Sequence, residues 1–239
     1  MIGGRTSQGK SALALQIAKD VAKNGQTVLF FSLEMSEESI MKRIFCNTSL
    51  IANTDLQENY QDYEKKFIQF RDDFLRDFPL VITYNVGATI DDLYQAINDL
   101  PHPDVVIVDY IQAIRKMDYE KVTTINEYIL KFRELAIRKN FAGILVSQVN
   151  REAMADHDKR PKLWQLKFSG TLEEHAGLVL LTHWDYNYNT LSPRNDFEII
   201  IAKHRDGHAG LVPVKFYPEY SMFDNWLPNL KKEELHEKI

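Results

Sequence analysis

Gly4-Arg5-Thr6-Ser7-Gln8-Gly9-Lys10-Ser11 is a complete G-x-x-x-x-G-K-[ST] phosphate loop. In such a loop the glycines let backbone N–H groups turn inward around phosphates. The lysine reaches the terminal phosphates, and the serine hydroxyl is placed to ligate Mg²⁺. The same octapeptide arises by chance in polar turns, so its context decides. Ser11-Ala12-Leu13-Ala14-Leu15-Gln16-Ile17-Ala18-Lys19-Asp20-Val21-Ala22 follows, with apolar residues at helical spacing among strong helix formers. The loop therefore opens onto a helix N-terminus, where free N–H groups and the helix dipole favour an anion. Gly4, Arg5, Thr6, Ser7, Gln8, Gly9, Lys10, Ser11 and Ala12 are the candidate nucleotide-binding residues.

Upstream of the loop stand only Met1-Ile2-Gly3. A buried strand normally delivers the chain to the phosphates, and three residues are few for one. The expectation is a first strand that is mostly missing, or a slot filled by another segment or subunit.

Downstream, apolar runs alternate with helical patterns. Gln26–Leu33, Leu80–Tyr84, Asp104–Tyr110, Ala142–Gln148 and Gly177–Thr182 read as strands. Helices are expected after Ser36, over Asn53–Arg76, after Thr89, through Ile129, Phe132, Leu135 and Ile137, and at Thr171–His175. Phe197–Lys203 and Val212–Tyr217 read as a hairpin around Asp206-Gly207-His208-Ala209-Gly210. Near-continuous apolar runs suit strands covered on both faces. The fold class is α/β, with a mainly parallel central sheet flanked by helices and an antiparallel C-terminal edge. Residues 1–239 form a single domain, without internal repeats or a long linker.

The chain has 239 residues, of which 44% are apolar and 26% charged, which is the composition of a soluble globular protein. No apolar run is long enough for a membrane span, and there is no signal-peptide pattern. The lone Cys46 excludes an internal disulfide framework and suits a reducing cytoplasm; it reads as a small buried residue on a helix. A formal net charge of −5 announces no nucleic-acid partner, although a basic groove can be local.

In open α/β sheets ligands bind at the carboxyl ends of the strands. Asp109 ends an apolar run, as a carboxylate that manages Mg²⁺ beside a phosphate loop should. Glu34, just after Phe30-Phe31-Ser32-Leu33, is either a base that activates water or simply the glutamate that opens the next helix. Gln148 ends its strand with an amide suited to sensing a terminal phosphate. Lys203-His204-Arg205, taken alone, reads as a solvated turn, though such cations also stabilise phosphoryl transfer from a neighbouring subunit.

Several strings occur together and in order: the phosphate loop, Phe31-Ser32-Leu33-Glu34-Met35, Val106-Ile107-Val108-Asp109-Tyr110-Ile111-Gln112 and Ser147-Gln148-Val149-Asn150-Arg151. Lys159-Arg160-Pro161, Ser169-Gly170-Thr171-Leu172-Glu173, Ile199 to Gly207 and Phe223-Asp224-Asn225 continue the series. Over almost its whole length the chain resembles the C-terminal RecA-like ATPase domain of the DnaB-type replicative helicases.

That resemblance implies an ATP-dependent, Mg²⁺-requiring DNA helicase motor that forms a hexameric ring and moves 5′ to 3′ along single-stranded DNA. A helicase loader or a primase is the implied protein partner. By the same resemblance Glu34 is the base, Asp109 and Ser11 manage Mg²⁺, and Gln148 couples nucleotide state to DNA-facing loops. Lys10 serves the nucleotide of its own subunit, and Lys203 and Arg205 reach the γ-phosphate of the adjacent one. DNA contacts fall on Arg115–Thr123 and Arg151–Lys162, with Arg151, Lys159, Arg160 and Lys162 as candidates. The family's N-terminal domain has no counterpart here. Lys167 and Phe168 depart from the family's R-E, and Trp184 replaces a basic residue. Two other classes fit the phosphate loop: a filament-forming recombination ATPase, and a non-catalytic nucleotide-binding module that docks to a helicase.

Overall fold

A computed structural model describes residues 1–114, 121–149, 158–166, 170 and 174–225. Strands β1 (Ile2–Gly4), β2 (Val28–Ser32), β3 (Leu80–Tyr84), β4 (Val105–Asp109), β5 (Ala142–Gln148) and β6 (Leu178–His183) are mutually parallel. β7 (Asp196–His204), β8 (Gly210–Tyr217) and β9 (Met222–Asn225) extend the sheet antiparallel. The strand order is β3-β2-β4-β5-β1-β6-β7-β8-β9. The expected parallel sheet with an antiparallel C-terminal edge is therefore what the chain forms.

Alternate residues of the buried strands serve the two faces. Val28, Phe30 and Ile107 join α1 (Lys10–Lys23), α2 (Glu37–Ser49), α3 (Asn53–Glu58) and α4 (Tyr60–Asp77) in one apolar layer. Leu29, Phe31, Val106 and Val108 face α5 (Ile90–Asp99) and α6 (Lys121–Lys139) in the other. Both layers exclude water from the sheet, which explains why its strands read as unbroken apolar runs. Two of the helices start where the sequence caps them. Ser39 N donates to Ser36 Oγ at 3.2 Å, and Thr89 with Asp92 forms a reciprocal capping box at α5. Each cap stabilises its helix by about 1 kcal/mol. Cys46 is buried on α2, and burial pushes its thiol up to about 11. No described helix is long and apolar enough to cross a membrane.

Three features go beyond the sequence reading or differ from it. Ile2–Gly4, short as it is, occupies the central slot and pairs with β5 on one side and β6 on the other. Pairing on both sides with full burial lets three residues form a strand there. The helix expected over Asn53–Arg76 is broken at Asn59, whose Nδ2 donates to Asp55 Oδ1 at 2.7 Å and closes the first helix. β9 has no alternating pattern to announce it, and is held by α1: Gln16 Nε2 donates to Phe223 O and Gln16 Oε1 accepts from Phe223 N. The expected helix at Thr171–His175 lies mostly outside the described residues.

Candidate nucleotide site

β1 ends at Gly4 and α1 begins at Lys10, so the phosphate loop is the turn between a central strand and its helix. Gly9 adopts φ +70°, and a β-carbon on it would sit 3.0 Å from the Phe197 ring. The left-handed φ favours glycine, and the close ring adds to that preference. Lys10 Nζ donates to Arg5 O at 2.6 Å, folded over its own loop. Burial lowers its pKa to about 8, against the pull of Asp109 and Glu34.

A segment the sequence reading did not connect to the loop clamps it from behind. Gln8 is 2% exposed, and its side chain both accepts from Trp184 N and donates to Trp184 O. Asn187 Nδ2 donates to Ser7 O at 2.6 Å. Arg5 Nη1 donates to Tyr188 Oη at 3.1 Å, and its guanidinium lies 5.3 Å from that ring's centre. These bonds fix the loop before any ligand arrives, which reduces the ordering cost of binding. Nothing local in residues 184–188 signals this; it follows from β6 ending beside β1.

The loop faces a cavity of about 540 Å³ lined by residues 6–12, Glu34, Met35, Arg43, Asp109, Tyr110 and Gln148, with Asn53, Gln57, Trp184 and Phe216 among its other walls. That volume is of small-ligand and cofactor size. Asp109 ends β4 and is 4% exposed. Burial raises its pKa; a hydrogen bond with the Ser11 side chain and the charges of Lys10 and Arg43 oppose the rise, while Glu34 adds to it. Glu34 is exposed to the cavity just beyond β2. Its position is set by two bonds: Leu33 N donates to Asp109 O at 2.9 Å, and Ser32 Oγ donates to Met35 O at 2.6 Å.

Gln148 ends β5, with its side chain hydrogen-bonded to Tyr110. Gln112 joins the two strand ends. Its Nε2 donates to Ser147 Oγ at 2.7 Å, and its Oε1 accepts from Gln148 N at 3.3 Å.

Lys10, Ser11, Glu34, Asp109 and Gln148 thus converge on one cavity. Arg43 was missed. It enters from α2 with its guanidinium toward Asp109 and Glu34, and burial lowers its pKa. Ile40, Ile44 and Asn47 form a buried stripe at i, i+4 and i+7 with Arg43 at i+3, a pattern that becomes a signal only once the burial of its neighbours is known.

Lys203 and Arg205 are elsewhere. β7 runs antiparallel to β6, so Glu198 pairs with His183 at the loop's end of the sheet, while Lys203 pairs with Val179 at the other. At a rise of about 3.3 Å per residue, Lys203 lies roughly 16 Å from Glu198 along the strand. Lys203 Nζ and Arg205 Nη2 donate to Glu174 O at 3.4 and 3.2 Å, and neither lines the cavity.

Of the DNA candidates, Arg151 lies outside the described residues, as does most of Arg115–Thr123. Arg160 holds Glu198 through two bonds of 2.6 and 2.7 Å, and reaches Asp158 at 3.4 Å. Its guanidinium is thereby tied to β7. Lys159 is half-buried and Lys162 exposed on the same segment.

The described residues contain no cluster of three or more His, Cys, Asp or Glu that could cage a metal. The Ser11–Asp109 pair is a donor set of another kind. It supplies one hydroxyl and one carboxylate, which suits Mg²⁺ completed by phosphate oxygens and water. Burial disfavours a lone ionised Asp109, and a cation there favours it.

Residues 1–225 match the family model described as the DnaB-like helicase C terminal domain. A replicative DNA helicase DnaB of Geobacillus stearothermophilus is 30% identical over 94% of this chain and 52% of its own length. A probable replicative DNA helicase of Trieres chinensis is 29% identical over 95% of this chain and 53% of its own. Among solved structures, a DnaB-like replicative helicase described with its interactions with primase superposes with a TM-score of 0.84, at 27% identity over 95% of this chain and 57% of that one. A solved ATPase domain gives the same TM-score at 28% identity, over 95% of this chain and 84% of its own. The chain spans about half the length of the curated relatives it matches. On this match and this site, the chain belongs to the DnaB-like helicase C-terminal domain family.

Proposed function

We propose that this chain is the motor domain of a replicative DNA helicase. It hydrolyses ATP at a site completed by a neighbouring copy and uses the cycle to move 5′ to 3′ along single-stranded DNA in the cytoplasm. One observation supports this most directly. The loop, Glu34, Asp109 and Gln148 meet at one cavity, while Lys203 and Arg205 stand at the opposite end of the sheet, where they cannot serve their own chain's nucleotide. A hexameric ring brings them to the next copy's phosphates. By likeness to the solved relative, described with its interactions with primase, a primase is the protein partner; the family resemblance adds a helicase loader as the other candidate.

Lys10 exchanges its bond to Arg5 O for the β- and γ-phosphates. Ser11 and Asp109 would hold Mg²⁺, which when bound neutralises phosphate charge. Glu34 orients the attacking water and takes its proton. Arg43 adds a cation within the same subunit, balancing the two carboxylates. Gln148 links the terminal phosphate to the loop that leaves β5.

ATP turnover of the full chain, with and without single-stranded DNA, tests the reading. Wild type shows DNA-stimulated turnover, and Lys10→Ala abolishes it. Glu34→Gln keeps nucleotide affinity while turnover falls about a hundredfold or more. Turnover indifferent to Lys10→Ala, or loss of nucleotide binding in Glu34→Gln, contradicts the assignment.

A further inference from the structure

The two edges of the nine-stranded sheet are finished differently. At one edge the N–H and C=O of Phe223 on β9 are both taken by the side-chain amide of Gln16. At the other edge stands β3, paired with β2 on its inner side. Val28 N donates to Pro79 O at 2.8 Å and Asn85 N donates to Ser32 O at 3.2 Å. Val81 and Thr83, between these bonds, therefore turn their backbone groups toward β2, and strand alternation points those of Leu80, Ile82 and Tyr84 outward. Leu80 N turns back to Phe78 O. Among the described residues, no hydrogen bond engages the N–H or C=O of Ile82 or the N–H of Tyr84. An edge left open in this way is a template for another strand.

The side chains beside this edge narrow what would add to it. Between β3 and α5 lies a groove of about 300 Å³, with Val81 and Leu100 among its apolar walls. Val81 is 40% exposed there, and Tyr84, on the strand's other face, 38%. Among the described residues the groove's charged walls are Asp92 and Asp99, with no cation. Asp92 accepts from Thr89 N and Thr89 Oγ1 at 2.7 Å, which lowers its pKa and keeps it ionised. Such a groove suits long cationic side chains on alternate residues of an added strand. Their methylene stems lie along Val81 and Leu100 while their heads reach the carboxylates. The same carboxylates disfavour a second copy, whose β3 would bring its own Asp92 and Asp99 to the edge. We propose that β3 is a docking strand for an extended, arginine- or lysine-rich segment of a partner protein, which pairs with Ile82 and Tyr84. The groove shares no lining residue with the nucleotide cavity, so the proposal does not depend on the motor reading.

The probe is a short, capped, labelled peptide that alternates arginine with valine. Its binding to the full chain is followed by anisotropy and by residue-resolved amide hydrogen exchange. The peptide should bind and slow exchange at Ile82 and Tyr84, while Val81 and Thr83, already bonded to β2, change little. Tyr84→Pro removes one outward N–H and no ladder bond, and should weaken binding about tenfold. Asp99→Lys should also weaken it about tenfold, with the melting temperature kept. A peptide of the same sequence methylated at its backbone nitrogens should bind at least about tenfold more weakly, and one alternating glutamate with valine should not bind. Should Tyr84→Pro lower the melting temperature, Asp99→Lys and the methylated peptide decide. Equal affinity for the methylated peptide marks charge attraction alone and overturns the proposal. No binding by wild type, binding without protection of Ile82 and Tyr84, or full affinity in both variants also overturns it. Wild-type chains that associate through this edge and separate on Tyr84→Pro make a second copy the occupant, which overturns it too.

Discussion

Lys10 is a residue whose protonation the site controls. Its folded pKa of about 8 lies below the ordinary 10.5, because burial penalises the ammonium. The sign follows. Between those values the unfolded chain binds more protons than the folded one, so this group makes stability rise with pH from about 8 upward. Anionic phosphates reverse the penalty and raise the pKa, so nucleotide binding should draw in a proton. At pH 8 we expect uptake of about half a proton per site, read from the buffer dependence of the calorimetric heat and absent in Lys10→Arg. Identical heats in buffers of different ionisation enthalpy would contradict this. Among the other site residues, Asp109 was legible because a carboxylate interrupts an apolar run. Arg43 was not, because a single basic residue on an amphipathic helix looks like surface until its neighbours are known to be buried.

Among the elements, β7 links the sheet's antiparallel edge to the phosphate loop. Phe197 is 1% exposed, sits against Gly9 and packs on Phe216 and Phe223 at 5.4 and 4.9 Å between ring centres. Phe197→Ala should cost about 3–5 kcal/mol in a denaturant titration; a loss under about 1 kcal/mol would mean that the three-ring cluster does not support the loop. The strands that end at the site were readable from sequence because burial on both faces leaves only apolar residues until the strand emerges. The 184–188 clamp and β9 were not. Their positions follow from which strands are neighbours, and four residues such as Met222–Asn225 are too few for a period to show. The pairing of the short first strand was unreadable for a related reason: length alone does not report that both edges of Ile2–Gly4 are paired.

For the molecule as a whole, the sheet separates two sets of groups that the proposed function directs at phosphate. Lys10, Ser11, Glu34, Asp109 and Gln148 stand at one end, and Lys203 and Arg205 at the other. The separation was invisible in the sequence, where Lys203-His204-Arg205 is simply a short basic string; it needed the direction of β7. On the proposed function, a chain arranged in this way carries two halves of different sites, and dependence on a second copy is its central expected property. The most direct measurement mixes two inactive variants, Lys10→Ala and Arg205→Ala, and follows DNA-stimulated ATP turnover against mixing ratio. Turnover should reappear in the mixture and peak at intermediate ratios, because an intact loop on one chain then faces an intact Arg205 on the other. An Arg205→Ala chain that is fully active alone, or a mixture that co-assembles yet stays as inactive as its parents, would contradict a site shared between copies.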